Sequence, residues 1–180
     1  TLSSSSAASD VYKRQLQSHI DLAKAVWLDY CECKMIDTIA REPLWRHLIN
    51  YRCGTGHSVS FVGNVHEGPH ALNSRNTTRM RPGMVVTDEP GVYETDLVGI
   101  RIENELVCVH KADNQYGTFL GFEPLMFVPI ATSPILPGVL DKDEIAWLND
   151  YHRQVFAKLA PHLNDEERSW LAEKCAAIGC

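Results

Sequence analysis

The sequence predicts an α+β fold, because helical patterns lie at both ends of the chain and a strand-rich block lies between them. Its 180 residues suit one globular domain or slightly more. Hydrophobic residues make up 44% and charged residues 22%, which argues against both a disordered chain and a membrane protein. The net charge of −6 does not favour a nucleic-acid or anionic-membrane partner. No apolar run reaches the roughly 18–20 residues that a membrane-spanning helix needs.

The first fifteen residues are expected to lie outside the fold. Residues 1–9 are a Ser-rich, low-complexity segment without the basic and apolar regions of a secretory signal. Residues 10–15, DVYKRQ, look like a translated sequencing-library adaptor. We therefore assign residues 1–15 to a non-native, adaptor-like tail and expect the fold to begin near Leu16.

Two helical patterns precede the strand-rich block. Apolar residues at steps of three and four predict a helix within residues 16–27. A second helical stretch covers residues 35–50, where Pro43 is expected to open a separate short helix because proline fits a first turn better than a helix interior. The expected strands and extended segments that follow, separated by Pro-Gly pairs and glycines, are residues 84–87, 97–103, 106–110 and 119–129.

The last forty residues have a helical pattern of their own. Prolines and a glycine within residues 134–138 mark a linker. Asp141 followed by Glu144 resembles a capping box, and an apolar stripe from residue 145 to 159 predicts the helix that it would open. Asn164 with Glu167 predicts the start of a last helix. Residues 140–180 are therefore expected to form a helical C-terminal extension.

The six cysteines do not form a recognisable metal or disulfide framework. Cys31 and Cys33 are too close in sequence for a normal structural zinc half-site, and there is no pair of CxxC knuckles. A chain of this length does not need disulfides to fold. We expect free thiols, as in the reducing cytosol, and hence a cytoplasmic protein.

Several polar residues of the strand-rich block are candidates for chemistry, although each one alone has a structural explanation. Arg101 and Glu103 alternate with two isoleucines, so they would share one face of a strand as solvated charges. Glu89 could be a turn acid beside a Pro-Gly pair. His57 follows Gly-Thr-Gly, and His66 precedes Glu-Gly-Pro; a single histidine is more often structural than catalytic.

Taken in order, however, three motifs closely resemble those of the pita-bread metallopeptidases, and most of all the Xaa-Pro aminopeptidases. The motifs are GTGHSVSFVGNVHEGP at 54–69, TDEPGVYE at 87–94 and GIRIENE at 99–105. Residues 119–130 and 141–161 are similar to the C-terminal extension of the longer form of these enzymes. The resemblance implies that residues 16–139 are the C-terminal part of a pita-bread (creatinase/aminopeptidase) catalytic domain and that residues 140–180 are its extension.

The resemblance implies a site for two divalent metal ions, most often Mn²⁺, held by two Asp, one His and two Glu side chains. His57 matches the histidine ligand, Glu89 the first glutamate and Glu103 the second, which bridges the two ions. Oxygen donors with one imidazole suit Mn²⁺ better than a thiolate site would. The two aspartates have no counterpart in this chain and are expected upstream of Leu16, so the fragment should be inactive alone.

The resemblance also assigns catalytic roles. Glu89 resembles the general base that accepts a proton from the attacking water. His66 matches a histidine that contacts the substrate and stabilises the tetrahedral intermediate. Arg101 matches a residue that orients the ligand carboxylates from behind. The expected substrate is a peptide with proline in the second position, whose N-terminal residue is released, and the parent enzyme is expected to be a homodimer.

Three alternatives remain at this point. A proline dipeptidase of the same fold would use the same ligands. A non-catalytic pita-bread binding module would usually have lost metal ligands, and a purely structural domain would require the motifs to be accidental.

The chain also departs from many relatives at Cys53, where a histidine is common, and at Ser58 and Ser60, where glycines are usual.

Overall fold

A computed structural model describes residues 4–135 and 140–179, with side chains from residue 10 onward. The helices within these ranges are α1 (Ser4–Ala23), α2 (Cys33–Trp45), α3 (Lys142–Leu159) and α4 (Asp165–Lys174), with a short 3₁₀ helix at Ala160–His162. The strands are β1 (Val26–Leu28), β2 (Gly56–His57), β3 (Ala71–Leu72), β4 (Val85–Asp88), β5 (Gly91–Glu94), β6 (Val98–Arg101), β7 (Asn104–Asn114) and β8 (Gly117–Pro124). The predicted mixture of helices and sheet is confirmed.

The chain divides into two compact units. One, the sheet unit, is Arg14–Met126. The other, the helical unit, consists of Thr1–Lys13 and Phe127–Cys180. Among the described residues of both units, no helix is long and apolar enough to cross a membrane.

The sheet unit is built on a four-stranded antiparallel sheet with the strand order β1-β8-β7-β4. Its longest pairing is the β7–β8 hairpin, which turns at Gly117 with a φ of +132°, a conformation that favours glycine. Two small antiparallel pairs, β2–β3 and β5–β6, complete the strands. His57 lies at the end of β2 and Arg101 at the end of β6.

The core of the sheet unit lies between the sheet and helices α1 and α2. Leu22 of α1 and Ile36 of α2 are fully buried in one cluster with the inward-facing residues of the sheet. Within this cluster the rings of Trp27 and Phe122 lie 4.6 Å apart at an interplanar angle of 50°. Burying apolar surface of this kind is the main stabilising contribution to a domain of this size.

Helix α1 is longer at its N-terminus than the sequence pattern predicts. It runs from Ser4, so it includes most of the segment that was assigned to an adaptor-like tail. Gln15, the last residue of that segment, is buried, and its side-chain amide donates hydrogen bonds to the carbonyls of Pro90 (2.7 Å) and Ile102 (3.2 Å). Residues 1–3 lie outside the described ranges, and the adaptor origin of residues 1–15 stays a prediction.

Two local predictions are wrong. The first helix does not continue to residue 27, because Val26–Leu28 form β1 and pair with β8. Pro43 does not open a separate helix: it lies near the end of the single helix α2. Pro43 and its neighbour Leu44 are both buried, so packing against the core offsets the hydrogen bond that proline cannot donate.

The helical unit agrees with its sequence signals. Asp141 and Glu144 form the predicted capping box of α3, and Asn164 and Glu167 form that of α4. The predicted stripe of α3 is buried from Ile145 to Val155. The linker prediction falls partly on residues 136–139, which lie outside the described ranges.

Candidate active site

The segment that leads into His57 is pressed against strand β4. The backbone N–H of Thr55 donates to the carbonyl of Leu72 (2.8 Å), and the carbonyl of Thr55 accepts from the N–H of Glu89 (2.8 Å). A Cβ atom on Gly56 would lie 1.8 Å from the carbonyl oxygen of Thr87. Only glycine permits this close approach, and it places His57 beside Glu89.

His57 and Glu89 are in direct contact. His57 Nε2 lies 3.0 Å from Glu89 Oε1, which also accepts a hydrogen bond from Thr87 Oγ1 (2.9 Å). The other ring nitrogen, Nδ1, lies 3.1 Å from the carbonyl oxygen of Ser58, to which it can donate. A backbone carbonyl in this place leaves Nε2 available to a ligand, as in metal-binding histidines.

This pair fits a divalent ion. Two donor atoms 3.0 Å apart can both bind one ion at roughly 2.1 Å. Glu103 is not part of the contact: among the residues that the structure describes, no three His, Cys, Asp or Glu side chains come together closely enough to hold a metal. The ligand roles of His57, Glu89 and Glu103 remain a proposal.

Arg101 connects the two glutamates. Its Nη1 lies 3.6 Å from Glu89 Oε2 and its Nε lies 3.3 Å from Glu103 Oε2. The pKa of the guanidinium is raised above its usual value by Tyr93 and then by Glu103. Strand β6 ends at Arg101, so the strand expected through residue 103 is shorter than predicted, yet Arg101 and Glu103 still meet.

His66 lies beside His57, although it belongs to an exposed loop. Its ring centroid is 3.9 Å from that of His57, and the rings meet edge to face at 71°. His57, His66, Glu89 and Arg101 line one cavity of about 390 Å³. The structure therefore brings four of the five predicted site residues to one cavity and links Glu103 to them through Arg101.

Sequence reasoning missed two side chains of this cavity region. Thr87 accepts a hydrogen bond from the backbone N–H of His57 (2.9 Å) and donates to Glu89, so it joins the two. Tyr93 lines the cavity, and its ring lies so close to Gly91 that a Cβ there would be 2.8 Å from it. Both lie within the TDEPGVYE motif, which is the one sequence signal that could have found them.

A buried acid lies directly before Glu89. Asp88 and His19 are both buried, with His19 Nδ1 3.1 Å from Asp88 Oδ2. Burial raises the pKa of Asp88; His19 opposes this, and the charges of Glu103 and Glu89 add to it. No local pattern predicts this pair, because His19 lies on α1 and Asp88 on β4.

Five of the six cysteines lie in the described residues, and all five are free thiols, as expected. Cys53 is exposed and lines the same cavity. The buried thiols of Cys33 and Cys108 have their pKa values raised to about 11 by desolvation.

Comparison with known families gives two matches that cover most of the chain. Residues 1–110 match the family model described as metallopeptidase family M24. Residues 118–178 match the model described as the C-terminal region of peptidase M24. The division between these matches, at residues 111–117, falls within the β7–β8 hairpin.

Individual relatives agree with the family matches. The chain is 42% identical to aminopeptidase P2 of Arabidopsis thaliana over 169 residues, which cover 90% of this chain and 24% of that protein. It is 39% identical to Xaa-Pro aminopeptidase app-1 of Caenorhabditis elegans, covering 91% of this chain and 28% of that protein. The chain thus spans about a quarter of the length of these relatives.

Two solved structures are similar in fold. One is an X-prolyl aminopeptidase from Caenorhabditis elegans, described as a cytosolic enzyme with a di-nuclear active site; the TM-score is 0.86 at 38% identity, covering 93% of this chain and 28% of that one. The other is the prolidase from Pyrococcus furiosus, with a TM-score of 0.52 at 27% identity, covering 64% of this chain and 31% of that one. The predicted resemblance to Xaa-Pro aminopeptidases, and with it the pita-bread fold, is confirmed.

Proposed function

Because the chain belongs to metallopeptidase family M24, we propose that it is the C-terminal part of a metal-dependent aminopeptidase. The substrate is a peptide with proline in the second position, and the enzyme releases the residue before it. The observation that carries the proposal is the contact of His57 Nε2 with Glu89 Oε1 at 3.0 Å, in a cavity that His66 and Arg101 also line.

His57, Glu89 and Glu103 would hold two divalent ions, which we propose to be Mn²⁺. The donor set of one imidazole and two carboxylates suits this ion, and two aspartates from a segment outside this chain would complete it. When bound, the ions supply a water that loses its proton near neutral pH and polarise the scissile carbonyl. A carboxylate shared between two dications, the role proposed for Glu103, would offset their repulsion.

The protein's own side chains then have distinct tasks. Glu89 accepts a proton from the attacking water through a carboxylate that Thr87 holds at Oε1 and Arg101 holds at Oε2. His66 donates an N–H to the oxygen that becomes negative in the tetrahedral intermediate. Arg101 contacts the carboxylates of both Glu89 and Glu103 and so fixes the orientation of each toward the metal site.

We further propose a cytoplasmic location and a homodimeric parent enzyme. The location is supported by the Caenorhabditis elegans relative, which is described as cytosolic. The dimer rests on the resemblance alone.

The test is to compare this chain with a completed enzyme, in which an upstream segment carrying the two aspartates is joined to it. With Mn²⁺ and an Xaa-Pro peptide, we expect turnover by the completed enzyme and none by the chain alone.

Glu89→Gln should lower kcat of the completed enzyme by about 10²- to 10⁴-fold, because it removes the general base. Glu123→Gln, in an exposed pair with Lys111, is the control and should leave kcat unchanged. Turnover by the chain alone, or equal effects of the two variants, would contradict the proposal.

A proline dipeptidase is the second candidate, since the Pyrococcus furiosus prolidase shares the fold over 64% of the chain. A length series of Xaa-Pro peptides separates the two activities. Cleavage of tripeptides and longer substrates supports the aminopeptidase, and cleavage of dipeptides alone supports the dipeptidase. A completed enzyme that binds no Mn²⁺ and cleaves none of these peptides would favour the non-catalytic binding module.

A further inference from the structure

We propose that Thr55 is a positioning residue for the candidate metal centre, and that Asp37 and Tyr51 hold its hydroxyl so that His57 and Glu89 keep their separation. The inference rests on the proposed function, because it concerns the same ligands. It assigns a role to a buried polar cluster that makes no contact with the cavity residues His66 or Arg101 in the described interactions.

The hydroxyl of Thr55 lies in the middle of a directed chain of hydrogen bonds. Thr55 Oγ1 donates to Asp37 Oδ1, since an ionised carboxylate can only accept. The single hydroxyl proton of Thr55 is then used, so the hydroxyl of Tyr51 must donate to Thr55 Oγ1, at 2.5 Å. All three residues are buried, so each partner is needed to avoid an unsatisfied polar group.

Arg41 closes the cluster around the segment that leads to Thr55. Its Nε donates to Asp37 Oδ2 (2.8 Å), and its two terminal nitrogens donate to the carbonyls of Tyr51 and Cys53, each at 2.9 Å. The guanidinium carbon also lies 4.1 Å from the centre of the Tyr51 ring. Helix α2 thereby holds residues 51–55 through both their backbone and their side chains.

The backbone of Thr55 transmits this fixed position to both candidate ligands. Its carbonyl accepts the N–H of Glu89 directly. On the other side, only Gly56 separates it from His57, and Gly56 lies so near β4 that a Cβ there would be 1.8 Å from the carbonyl oxygen of Thr87. A displacement of Thr55 therefore changes the distance between the imidazole of His57 and the carboxylate of Glu89.

Metal sites are sensitive to displacements of this kind. Ligand distances are defined to about ±0.2 Å, and loss of a group that orients a ligand typically lowers metal affinity about 10- to 100-fold. The side chain of Thr87 contacts both candidate ligands, whereas the hydroxyl of Thr55 acts on them only through the backbone. Loss of the Thr55 hydroxyl is therefore expected to lower metal affinity by about tenfold, at the lower end of that range.

The experiment uses the completed enzyme and the variant Thr55→Val, which keeps the shape of the side chain but removes the hydroxyl. We expect its Mn²⁺ affinity, titrated well below the unfolding temperature, to fall about tenfold. Thr55→Ser should restore affinity to near the wild-type value because it keeps the hydroxyl. Thr38→Val is the matched control, since Thr38 donates to the carbonyl of Lys34 on the exposed side of α2, the helix that carries Asp37. If Thr55→Val does not fold, Tyr51→Phe removes one bond of the chain and should weaken Mn²⁺ binding in the same direction.

A second measurement needs no metal. Hydrogen exchange of the Glu89 amide in the metal-free enzyme should be faster in Thr55→Val than in wild type and Thr38→Val. Wild-type Mn²⁺ affinity in Thr55→Val, with only a lower unfolding temperature, would overturn the inference and leave Thr55 a role in stability alone. Should the wild-type enzyme bind no Mn²⁺, the proposed function fails instead, and unchanged exchange at Glu89 would separately overturn the positioning role.

Discussion

Two arginines in the sheet unit pair with carboxylates, Arg41 with one and Arg101 with two, and they do so in opposite surroundings. Arg41 and Asp37 have side chains that are 8% and 2% exposed, and they lie within the buried cluster behind His57. Arg101, Glu103 and Glu89 are 49%, 41% and 17% exposed and lie at the cavity. The two clusters are similar in chemistry and differ mainly in burial.

The difference in burial distinguishes the Arg41–Asp37 pair, which maintains the structure, from the Arg101 cluster, for which we propose a role in the chemistry. A buried charge is tolerated only when its hydrogen bonds are satisfied, and Arg41 donates to Asp37 and to the carbonyls of Tyr51 and Cys53. Arg101 is exposed and contacts Glu103 and Glu89 only at 3.3 and 3.6 Å, so another cation can replace it beside these carboxylates at little cost. Catalytic capacity is expected where pairing is incomplete.

The largest effect is expected when one partner of the buried pair is removed. Asp37→Ala leaves Arg41 charged and buried, and we expect it to lower the free energy of unfolding by about 3–5 kcal/mol. Chemical denaturation measures the change. Glu42→Ala is the control within the same helix, because Glu42 pairs with Arg46 at the surface, and it should have little effect. Similar losses in both variants would contradict the structural role of the buried pair.

A substitution in the Arg101 cluster should change Mn²⁺ affinity and leave the free energy of unfolding nearly unchanged. Arg101→Lys keeps the charge but loses the planar fork that reaches two carboxylates, so Mn²⁺ affinity of the completed enzyme should fall about 10- to 100-fold. The free energy of unfolding should change by less than about 1 kcal/mol, given the exposure of Arg101. Arg153→Lys, in the surface pair with Asp150, should change neither quantity. A large loss of stability without loss of Mn²⁺ binding would reverse the assignment.

The smallest expected effect is on pH dependence in the helical unit, where His152 is another buried polar group. Its Nε2 accepts the N–H of Ile130 (3.1 Å), so it must be unprotonated, and burial lowers its pKa below the usual 6.5. Since the unfolded chain then binds the proton more readily, stability is complete above about pH 6.5 and declines as the pH falls toward the folded-state value.

Denaturation of wild type and His152→Gln at pH 7.5 and about pH 5.5 tests this sign. Glutamine can accept the same N–H without titrating, so the variant should lose less stability on acidification. An equal loss in both proteins would show that other groups cause the acid sensitivity.

The elements with local signals were the ones that could be predicted. The capping boxes at Asp141 and Asn164 place helix starts within a few residues, because their hydrogen bonds involve neighbours in sequence. Strand β1 was missed, since its partner β8 lies about ninety residues later and nothing local announces the pairing. The extent of α1 was misjudged because residues such as Gln15 are polar, although tertiary contacts bury them.

In the candidate site, too, some residues could be predicted from local sequence signals and others could not. His57, His66, Glu89, Arg101 and Glu103 were named from ordered motifs, whose residue types reflect ligand chemistry. Thr87, Tyr93 and the support of Thr55 were not, since a threonine or tyrosine in a motif carries no distinctive chemical signal.

The fold class, the family resemblance and the candidate site residues could be read from the sequence, because they follow from residue types and short spacings. Which of those side chains meet depends on the tertiary structure. The hydroxyl of Thr55 reaches Asp37 across 18 positions, and the N–H of His57 reaches Thr87 across 30. Contacts over such separations depend on how the helices and the sheet pack, and no local pattern of residues encodes them.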